Sequence, residues 1–308
     1  MSMNLTTFHS AVSHGAFRSE SKQFTGDLDE GSALELNIHC DALPNMDVFS
    51  KSDPFAVVYV RPADESRGWE KIGQTETIWD DLRPRFVESF LMPVFDDGSS
   101  LKGLRVEIYD RDGDGTNLDN QDFIGAAECL CQEILEIPGH SITLELEDPK
   151  KPRKKRGNVI LMLDGVIPCD PPVSILFNFT ASIPGVANKK LVLIISKAMR
   201  KGQWTPVYRS EEARGKVTTF DPCTISKEKL CAGNDLRSFR IELHRKKRFD
   251  LEQVGFFLSN LQKLSEATVG QSFRWWSPAR GLQKSGVVLL TKQIEDTSMV
   301  FDINMSGI

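Results

Sequence analysis

The sequence contains no long hydrophobic run. Its longest stretch of large aliphatic residues, Leu191–Ile195, has only five residues. A helix that spans a bilayer needs about 20 predominantly apolar residues, so the sequence predicts no membrane span. The first residues, Met-Ser-Met-Asn-Leu, form neither a basic nor an apolar segment, so we expect no secretory signal. The cysteines of such a chain are expected to stay reduced in the cytoplasm.

The residues that build many catalytic and zinc sites are few and scattered. The chain has six cysteines and five histidines, and neither set shows the paired spacing of a zinc site. The sequence also lacks a Gly-x-Ser-x-Gly segment and a glycine-rich phosphate-binding loop. We therefore expect a binding protein and not an enzyme.

Charge is divided unevenly along the chain. The formal net charge is −5, yet residues 31–168 carry 15 basic and 26 acidic side chains, whereas residues 169–308 carry 21 and 13. An acidic segment favours cations, and a basic segment favours anionic surfaces such as phospholipid. The two halves are therefore expected to be separate modules with different electrostatic roles.

Short segments of alternating hydrophobicity run through residues 31–168. In Ala33–Cys40, Leu34, Leu36 and Ile38 alternate with polar residues, a pattern that is typical of a half-buried strand. Eight such segments, separated by loops rich in aspartate, glycine and proline, predict an antiparallel β-sandwich. The predicted strands are Ala33–Cys40, Pro54–Arg61, Trp69–Ile78, Phe86–Met92, Leu104–Tyr109, Phe123–Leu130, Ser141–Glu147 and Asn158–Asp164.

A turn-rich segment, residues 164–172, separates this unit from a second all-β unit. The predicted regions are a disordered N-terminal tail at 1–30, a first domain at 31–168 and a second domain at 172–308. The expected fold class is all-β, with two tandem eight-stranded antiparallel β-sandwiches. Six strands of the second domain are recognisable: Val173–Thr180, Lys190–Lys197, Pro206–Ser210, Ser238–His244, Val254–Leu258 and Val287–Gln293.

Two loops of the first domain are unusually rich in aspartate. One contains Asp47 and Asp53, and the other runs from Asp110 to Asp122. Carboxylates placed this close repel one another unless a cation neutralises them, and calcium takes about six to eight oxygen ligands. Two other interpretations stay open, namely ordinary turn-forming aspartates and an EF-hand loop. The EF-hand fits poorly, because its last position would be Gln121 and its flanks are predicted strands.

These loops resemble those of a known family. Ser50–Phe55 resembles the first calcium loop of a C2 domain, and Tyr109–Asp112 and Asp122–Gly125 resemble the two sides of its third. The match, which extends to Gly202–Glu211 and Leu230–Asn234, is to the copines, whose N-terminal half is a tandem of two C2 domains. Copines continue into an integrin-like A domain that binds Mg²⁺. Its Asp-x-Ser-x-Ser motif is absent from this sequence, so we expect a copine-like chain without the A domain.

The resemblance implies a calcium site at one tip of the first domain, holding two or three ions. It implies that apolar residues of the first loop, Val48 and Phe49, enter a membrane, since apolar loop tips often mark interaction sites. The implied calcium ligands are Asp47, Asp53, Asp110, Asp112 and Asp122, with Asp114 or Asp119 as an alternative or addition to Asp122.

The second domain departs from this pattern. Four of its five positions that match the aspartates carry no carboxylate, so we predict no calcium site there. Aligned on Trp204 and on Val254–Gly255, these positions hold Gly185, Leu191, His244, Lys246 and Glu252.

Two basic runs complete the predicted lipid-binding surface. The first joins the seventh and eighth predicted strands, and alternating strand directions place it at the calcium end. Each basic side chain near an anionic leaflet contributes on the order of 1 kcal/mol. Solvated loops are the alternative for both runs, and a nuclear-localisation signal is an alternative for the first. The residues are Lys150, Lys151, Arg153, Lys154, Lys155 and Arg156, and then Arg245, Lys246, Lys247 and Arg248.

Together these features predict calcium-dependent phospholipid binding. We expect a peripheral membrane-recruitment module in signalling or membrane trafficking, which moves with calcium from the cytoplasm to the cytoplasmic face of the plasma membrane or other membranes. Calcium is the expected cofactor and anionic phospholipid the expected partner. The alternative is a calcium-independent protein–protein scaffold that binds a protein partner. Nucleic acid is not expected as a partner, because the basic runs lack interleaved aromatic residues.

Overall fold

A computed structural model describes residues 33–62, 68–92, 101–113, 115, 117–248 and 250–306 of the chain. The predicted tail at residues 1–30 and the alternative ligand Asp114 lie outside these ranges. Among the described residues, no helix is both long and apolar enough to cross a membrane.

Residues 33–166, which we call the first module, form the predicted sandwich of eight strands. The strands are β1 (Ala33–Asp41), β2 (Pro54–Pro62), β3 (Glu70–Gln74), β4 (Phe90–Leu91), β5 (Leu101–Asp110), β6 (Asp122–Leu130), β7 (Ser141–Glu145) and β8 (Asn158–Val166). One sheet has the order β4-β1-β8-β7 and the other has the order β3-β2-β5-β6. A short helix, α1 (Cys131–Glu136), connects β6 to β7.

The core of the first module follows from the alternation along its strands. Leu36 and Ile38 of β1 and Val58 of β2 are fully buried between the two sheets, as the period of two predicts. The opposite face of β1 carries Glu35 and His39, which are also buried. That face is covered by residues 174–306, because His39 Nε2 lies 2.9 Å from the Thr205 hydroxyl and Glu35 pairs with Lys197.

Residues 174–306, which we call the second module, are also all-β. The described residues form ten strands there, so the prediction of eight was wrong. They are β9 (Ser174–Ser182), β10 (Leu191–Ala198), β11 (Trp204–Arg209), β12 (Thr218–Thr219), β13 (Cys223–Ser226), β14 (Phe239–Lys246), β15 (Leu251–Ser259), β16 (Ser272–Ser277), β17 (Gly281–Ile294) and β18 (Ser298–Ser306). Two short helices, α2 (Lys227–Cys231) and α3 (Leu261–Glu266), lie between strands.

The strand order explains the difference. The order is β11-β10-β14-β15-β16-β17-β18-β9-β12, and β13 also pairs with β9. Strands β12 and β13 have two and four residues, too few for an alternating pattern to show. Strand β18 lies between β17 and β9 and is parallel to β9, whereas β8 and β1 of the first module pair directly. The second module is therefore mixed and not purely antiparallel.

Aromatic side chains fill the core of the second module. The ring of Phe177 lies 6.2 Å from that of Phe239 and 5.7 Å from that of Phe301, centroid to centroid. Trp275 is buried against Gly255, where an added Cβ would lie 2.4 Å from the indole ring. Only glycine fits at this position without displacing the tryptophan.

Candidate calcium site

Three loops of the first module meet at one end of the sandwich. Asp110, the last residue of β5, pairs with Pro54 at the start of β2 and with Asp122 at the start of β6. The loops that precede β2 and β6 therefore leave the sheet side by side. The loop after β3 joins them, because the Asp81 N–H donates to the Ser52 carbonyl oxygen at 3.2 Å.

Backbone N–H groups hold the carboxylates of these loops. The Asp53 N–H donates to Asp110 Oδ1 at 2.5 Å, and the Asp80 N–H donates to Asp53 Oδ1 at 2.7 Å. Separately, the Asp122 N–H donates to Asp112 Oδ2 at 2.8 Å. These bonds bring Asp53, Asp80 and Asp110 together in one group, and Asp112 and Asp122 in a second.

Asp110 is the most enclosed of these residues. It is 1% exposed, and its Oδ2 atom has no hydrogen-bond partner among the described residues. Burial raises its pKa, hydrogen bonds from the Asp53 N–H and the Ser52 side chain oppose this shift, and the neighbouring Asp47 and Asp112 carboxylates add to it. Burial also raises the pKa of Asp53. A buried anionic oxygen without a partner costs free energy, so a cation beside Asp110 Oδ2 would stabilise the site.

The loop between β1 and β2 holds two apolar side chains in solvent. Val48 is 87% exposed and Phe49 is 94% exposed. Asn45 Nδ2 closes the turn by donating to the carbonyl oxygens of Asp47, at 3.1 Å, and Ser50, at 2.9 Å. Ser50 Oγ donates in turn to Asp47 Oδ2 at 2.8 Å. The predicted apolar pair therefore projects from an ordered turn beside the carboxylates.

Two further residues belong to this end, and the sequence reasoning missed both. Asp80 Oδ1 accepts a hydrogen bond from the Lys51 N–H at 3.2 Å, so this carboxylate lies beside the first loop. Its neighbour Trp79 is 61% exposed. They lie in the loop after β3, outside the two loops whose aspartates stand out in the sequence.

These side chains suit a hard cation. We call this end of the first module the carboxylate tip, which comprises Asp47, Asp53, Asp80, Asp110, Asp112 and Asp122. Carboxylate oxygens are the ligands that calcium prefers. Within the part of the chain that the structure describes, no three His, Cys, Asp or Glu side chains are arranged as a metal-binding group. Asp110 Oδ2, which is buried without a hydrogen-bond partner among the described residues, is an atom whose charge a bound cation would neutralise.

The first basic run lies at the same end. Strand β8 begins at Asn158, which pairs with Asp41 at the end of β1, so the loop before β8 leaves the sheet beside the carboxylate tip. Residues 150–155 of this loop are exposed. Arg156 is different, and the prediction that it binds lipid was wrong. It is 3% exposed and its guanidinium lies 2.6 Å from the buried Asp148 carboxylate, so it holds the loop in place.

The corresponding end of the second module carries cations. Strands β10 and β14 pair Leu191 with Arg245, just as β2 and β5 pair Pro54 with Asp110. Arg245 also pairs with Glu252 at the start of β15. Arg245 therefore occupies the position that Asp110 holds in the first module.

This register corrects three positions of the sequence alignment by one residue each. The connection between β5 and β6 spans residues 111–121, but that between β14 and β15 spans only 247–250. With loops of such different length, residue spacing cannot fix the register. The equivalents of Asp53, Asp110 and Asp112 are Lys190, Arg245 and Lys247, not Leu191, His244 and Lys246.

Acidic side chains neutralise part of this charge. Arg245 Nε donates to Glu252 Oε2 at 2.6 Å, and Lys247 Nζ lies 3.2 Å from the same oxygen. Lys190 Nζ lies 2.8 Å from Glu212 Oε2. These ion pairs occupy the place of a calcium site, and residues 245–252 still carry four basic and two acidic side chains. We call this end the basic tip, which comprises Lys189, Lys190, Lys216, Arg245, Lys246, Lys247 and Arg248.

Comparison with known proteins matches residues 33–146 to the C2 domain family. The chain is 27% identical over 264 residues to Copine-A of Dictyostelium discoideum, a match that covers 83% of this chain and 41% of that protein. It is 34% identical over 118 residues to Nicotinic receptor-associated protein 1 of Caenorhabditis elegans, which covers 33% of this chain and 18% of that protein. The chain thus spans less than half the length of these relatives.

Among solved structures, a calcium-bound structure of two C2 domains of Extended-Synaptotagmin 2 matches 83% of this chain and 91% of that chain, with 17% identity and a TM-score of 0.31. The fold of the described residues is all-β. The C2 match and the relatives support a role in binding membranes or proteins. By sequence, the chain is therefore similar to the C2 domain family over residues 33–146 and to Copine-A over most of its length.

Proposed function

We propose that this protein binds anionic phospholipid bilayers in response to calcium, through the carboxylate tip. The observation that carries the proposal is the buried Asp110 carboxylate, whose Oδ2 has no partner among the described residues and lies among further carboxylates. The five predicted ligands, with Asp80 beside them, offer oxygen donors for two or three ions. They are Asp47, Asp53, Asp110, Asp112 and Asp122.

Charge would control the attachment. Residues 110–122 carry five acidic and one basic side chain, so this end repels an anionic bilayer while its carboxylates are unneutralised. Bound calcium would neutralise these carboxylates. Coordination positions of the ions that no protein oxygen fills could then accept lipid oxygens. The carboxylates hold the ions in the first module only, because the second module has Lys190, Arg245 and Lys247 at the matching positions.

Apolar and basic side chains would strengthen the contact. Phe49 and Val48 can enter the headgroup region once the repulsion is removed, because they are already exposed on an ordered turn. The exposed lysines of residues 150–155 lie at the same end. Several weak signals of this kind together give stable attachment. No catalytic step is proposed, and we expect the protein to move from the cytoplasm to the plasma membrane or other membranes in signalling or trafficking.

Sedimentation with phosphatidylserine vesicles tests this proposal. Wild type should pellet with calcium and stay soluble with chelator, and Asp110→Asn should stay soluble in both. Asp296→Asn is the matched control, since it removes the same charge from an exposed turn of the second module. Equal pelleting of wild type and Asp110→Asn would contradict the proposal, as would pelleting of wild type that does not depend on calcium.

A cleft between the modules supports protein binding as the second candidate function. It has a volume of about 940 Å³, and Trp79, Tyr208 and Arg209 contribute to its lining. Strand β11, which contributes Val207–Arg209 to this lining, is an edge strand of its sheet. An extended peptide could add to that edge through backbone hydrogen bonds. Calcium-independent capture of a partner, lost in Tyr208→Asp, together with no vesicle binding, would favour this function.

A further inference from the structure

Buried ion pairs join the two modules. Lys197 of the second module is fully buried and pairs with Glu35 of the first, which is 5% exposed. Arg237 of the second module lies 2.5 Å from Asp164 of the first, and both residues are buried. Separating the modules would leave these charges buried without partners or expose both surfaces. The two modules therefore act as one body.

The positions of the paired residues show how the modules are aligned. Glu35 lies six residues before Asp41, the end of β1 that is nearest the carboxylate tip. Lys197 lies six residues after Leu191, the end of β10 that is nearest the basic tip. Each residue is therefore roughly 20 Å along its strand from its own tip. Because the two side chains meet, both tips lie at about the same distance, roughly 20 Å along the strands, from this contact.

A second contact fixes the direction. Arg209 pairs with Ile194, only three residues from the tip end of β10. Arg209 lines a cleft together with Trp79 and Asp80 of the first module, and Lys246 of the basic tip lines the same cleft. Asp80 belongs to the carboxylate tip, so residues of both tips border one cleft. With one contact far from the tips and one near them, the tips point the same way.

We propose that the docked modules form one binding surface, in which the carboxylate tip and the basic tip face the same anionic bilayer. This inference rests on the proposed function and adds a calcium-independent contact to it. Lys189, Lys216 and Val217 are exposed at the basic tip, and the Asn188 N–H donates to the Gly215 carbonyl oxygen at 2.8 Å, so their loops are adjacent.

The consequence is a calcium response at a tip that binds no calcium. Attachment of the carboxylate tip holds the basic tip close to the same bilayer. Its binding then becomes effectively intramolecular, with a high effective concentration. The basic tip increases the affinity for the bilayer once the first module is attached. Calcium dependence comes from the first module alone.

A fluorescent amino acid that senses its environment can test this in the full-length chain. It would replace Phe49 at the carboxylate tip, Val217 at the basic tip, or Leu236, which is exposed at the opposite end of the second module. With phosphatidylserine vesicles, calcium should shift the emission at positions 49 and 217 but not at position 236. In an Asp110→Asn background, both shifts should disappear.

The outcomes separate the two proposals. A shift at position 49 alone would overturn the co-facing arrangement and leave the proposed function intact. No shift at position 49 or 217, with wild type also failing to pellet, would overturn the proposed function itself. A shift at position 236 equal to that at position 217 would show a general change of environment, and the arrangement would again be wrong.

Charge removal gives an independent test. In Lys189→Gln/Lys216→Gln, vesicle affinity with calcium should fall about thirtyfold, since each of the two lysines near the leaflet contributes on the order of 1 kcal/mol. The matched control Lys71→Gln/Lys263→Gln removes two exposed lysines away from the tips and should retain wild-type affinity. Equal affinity of the two double variants would overturn the proposal.

Discussion

The carboxylate tip and the basic tip lie at equivalent ends of the two modules but differ in how their charges are balanced. Both are built on equivalent strand ends, with Asp110 facing Asp122 in the first module and Arg245 facing Glu252 in the second. The first tip leaves like charges together, which adds to the effect of burial in raising the pKa of Asp110. The second tip supplies its own cations, and Arg245 and Lys247 lower the pKa of Glu252.

This difference shows that the backbone of the fold does not specify a cation requirement. Strand register brings the same positions together in both modules. The residue types at three of these positions determine whether a bound cation is needed to balance the charge. Lysine and arginine in place of aspartate remove the need for a bound ion. The proposed calcium control therefore belongs to the first module, and we expect the second module to bind anions at any calcium concentration.

Among the changes that test this difference between the tips, removal of one carboxylate should have the largest effect. Asp110→Asn should weaken calcium binding roughly 1,000-fold, because one unit-charge interaction near a protein surface is worth about 4 kcal/mol at 4 Å. Isothermal titration calorimetry measures the change. The matched variant in the second module, Arg245→Gln, should leave calcium affinity as in wild type, and a weakened affinity in Arg245→Gln would contradict the division of roles.

The buried ion pair between the modules and the exposed ion pair at the basic tip should also differ in their contribution to the free energy of unfolding. Lys197→Met leaves the buried Glu35 without its cationic partner and should lower the free energy of unfolding by about 3 kcal/mol. Lys190→Met breaks the exposed pair with Glu212 at the basic tip and should cost at most about 1 kcal/mol. Urea unfolding measures both, and similar losses for the two variants would show that the inter-module pair is not buried in solution.

Much of the first module could be predicted from sequence, because its strands alternate regularly. The second module was harder. Strands β12 and β13 are too short to show a pattern, and β18 inserts beside β9 in a parallel arrangement that no local sequence signal indicates. Local periodicity reports which residues are buried, but not which strands become neighbours.

The candidate calcium site was likewise predicted only in part, because the sequence does not show which loops become neighbours. The aspartates of two loops were recognisable, yet Asp80 lies in a third loop and joins them through hydrogen bonds with Asp53 and with the Lys51 N–H. Arg156 looked like one more cation of a basic run, but its side chain turns inward to Asp148. Spacing in the sequence identifies residue types, and only the folded loops decide which of them face solvent.

A smaller effect is expected at the apolar turn. Phe49→Ser should reduce vesicle affinity about tenfold with calcium affinity in solution unchanged, since partial burial of a phenylalanine is worth about 1.5 kcal/mol. Vesicle titration and calorimetry on the same variant separate the two quantities. Leu236→Ser, which removes an exposed apolar side chain far from both tips, should leave both as in wild type. A loss of calcium affinity in Phe49→Ser would mean that the turn shapes the ion site.

The smallest effect should be the opposite response of the two tips to pH. The pKa values of Asp53 and Asp110 are raised in the folded chain, chiefly by burial, so without calcium these groups destabilise the fold at neutral pH. Stability from this source should increase as the pH falls through their raised pKa values. The same protonation should weaken calcium binding, because protons and calcium compete for the same oxygens.

Glu252 should behave in the reverse way. Its pKa is lowered by hydrogen bonds from Arg245 and Lys247, so its contribution is present above the ordinary glutamate pKa and is lost as the pH falls through the lowered value. Thermal unfolding from pH 7 to pH 4 in chelator, compared among wild type, Asp110→Asn and Glu252→Gln, isolates each group. On acidification the stability of wild type should rise relative to that of Asp110→Asn, and the advantage of wild type over Glu252→Gln should narrow. The same sign of pH dependence at both tips would mean that the basic tip does not hold its charges as ion pairs.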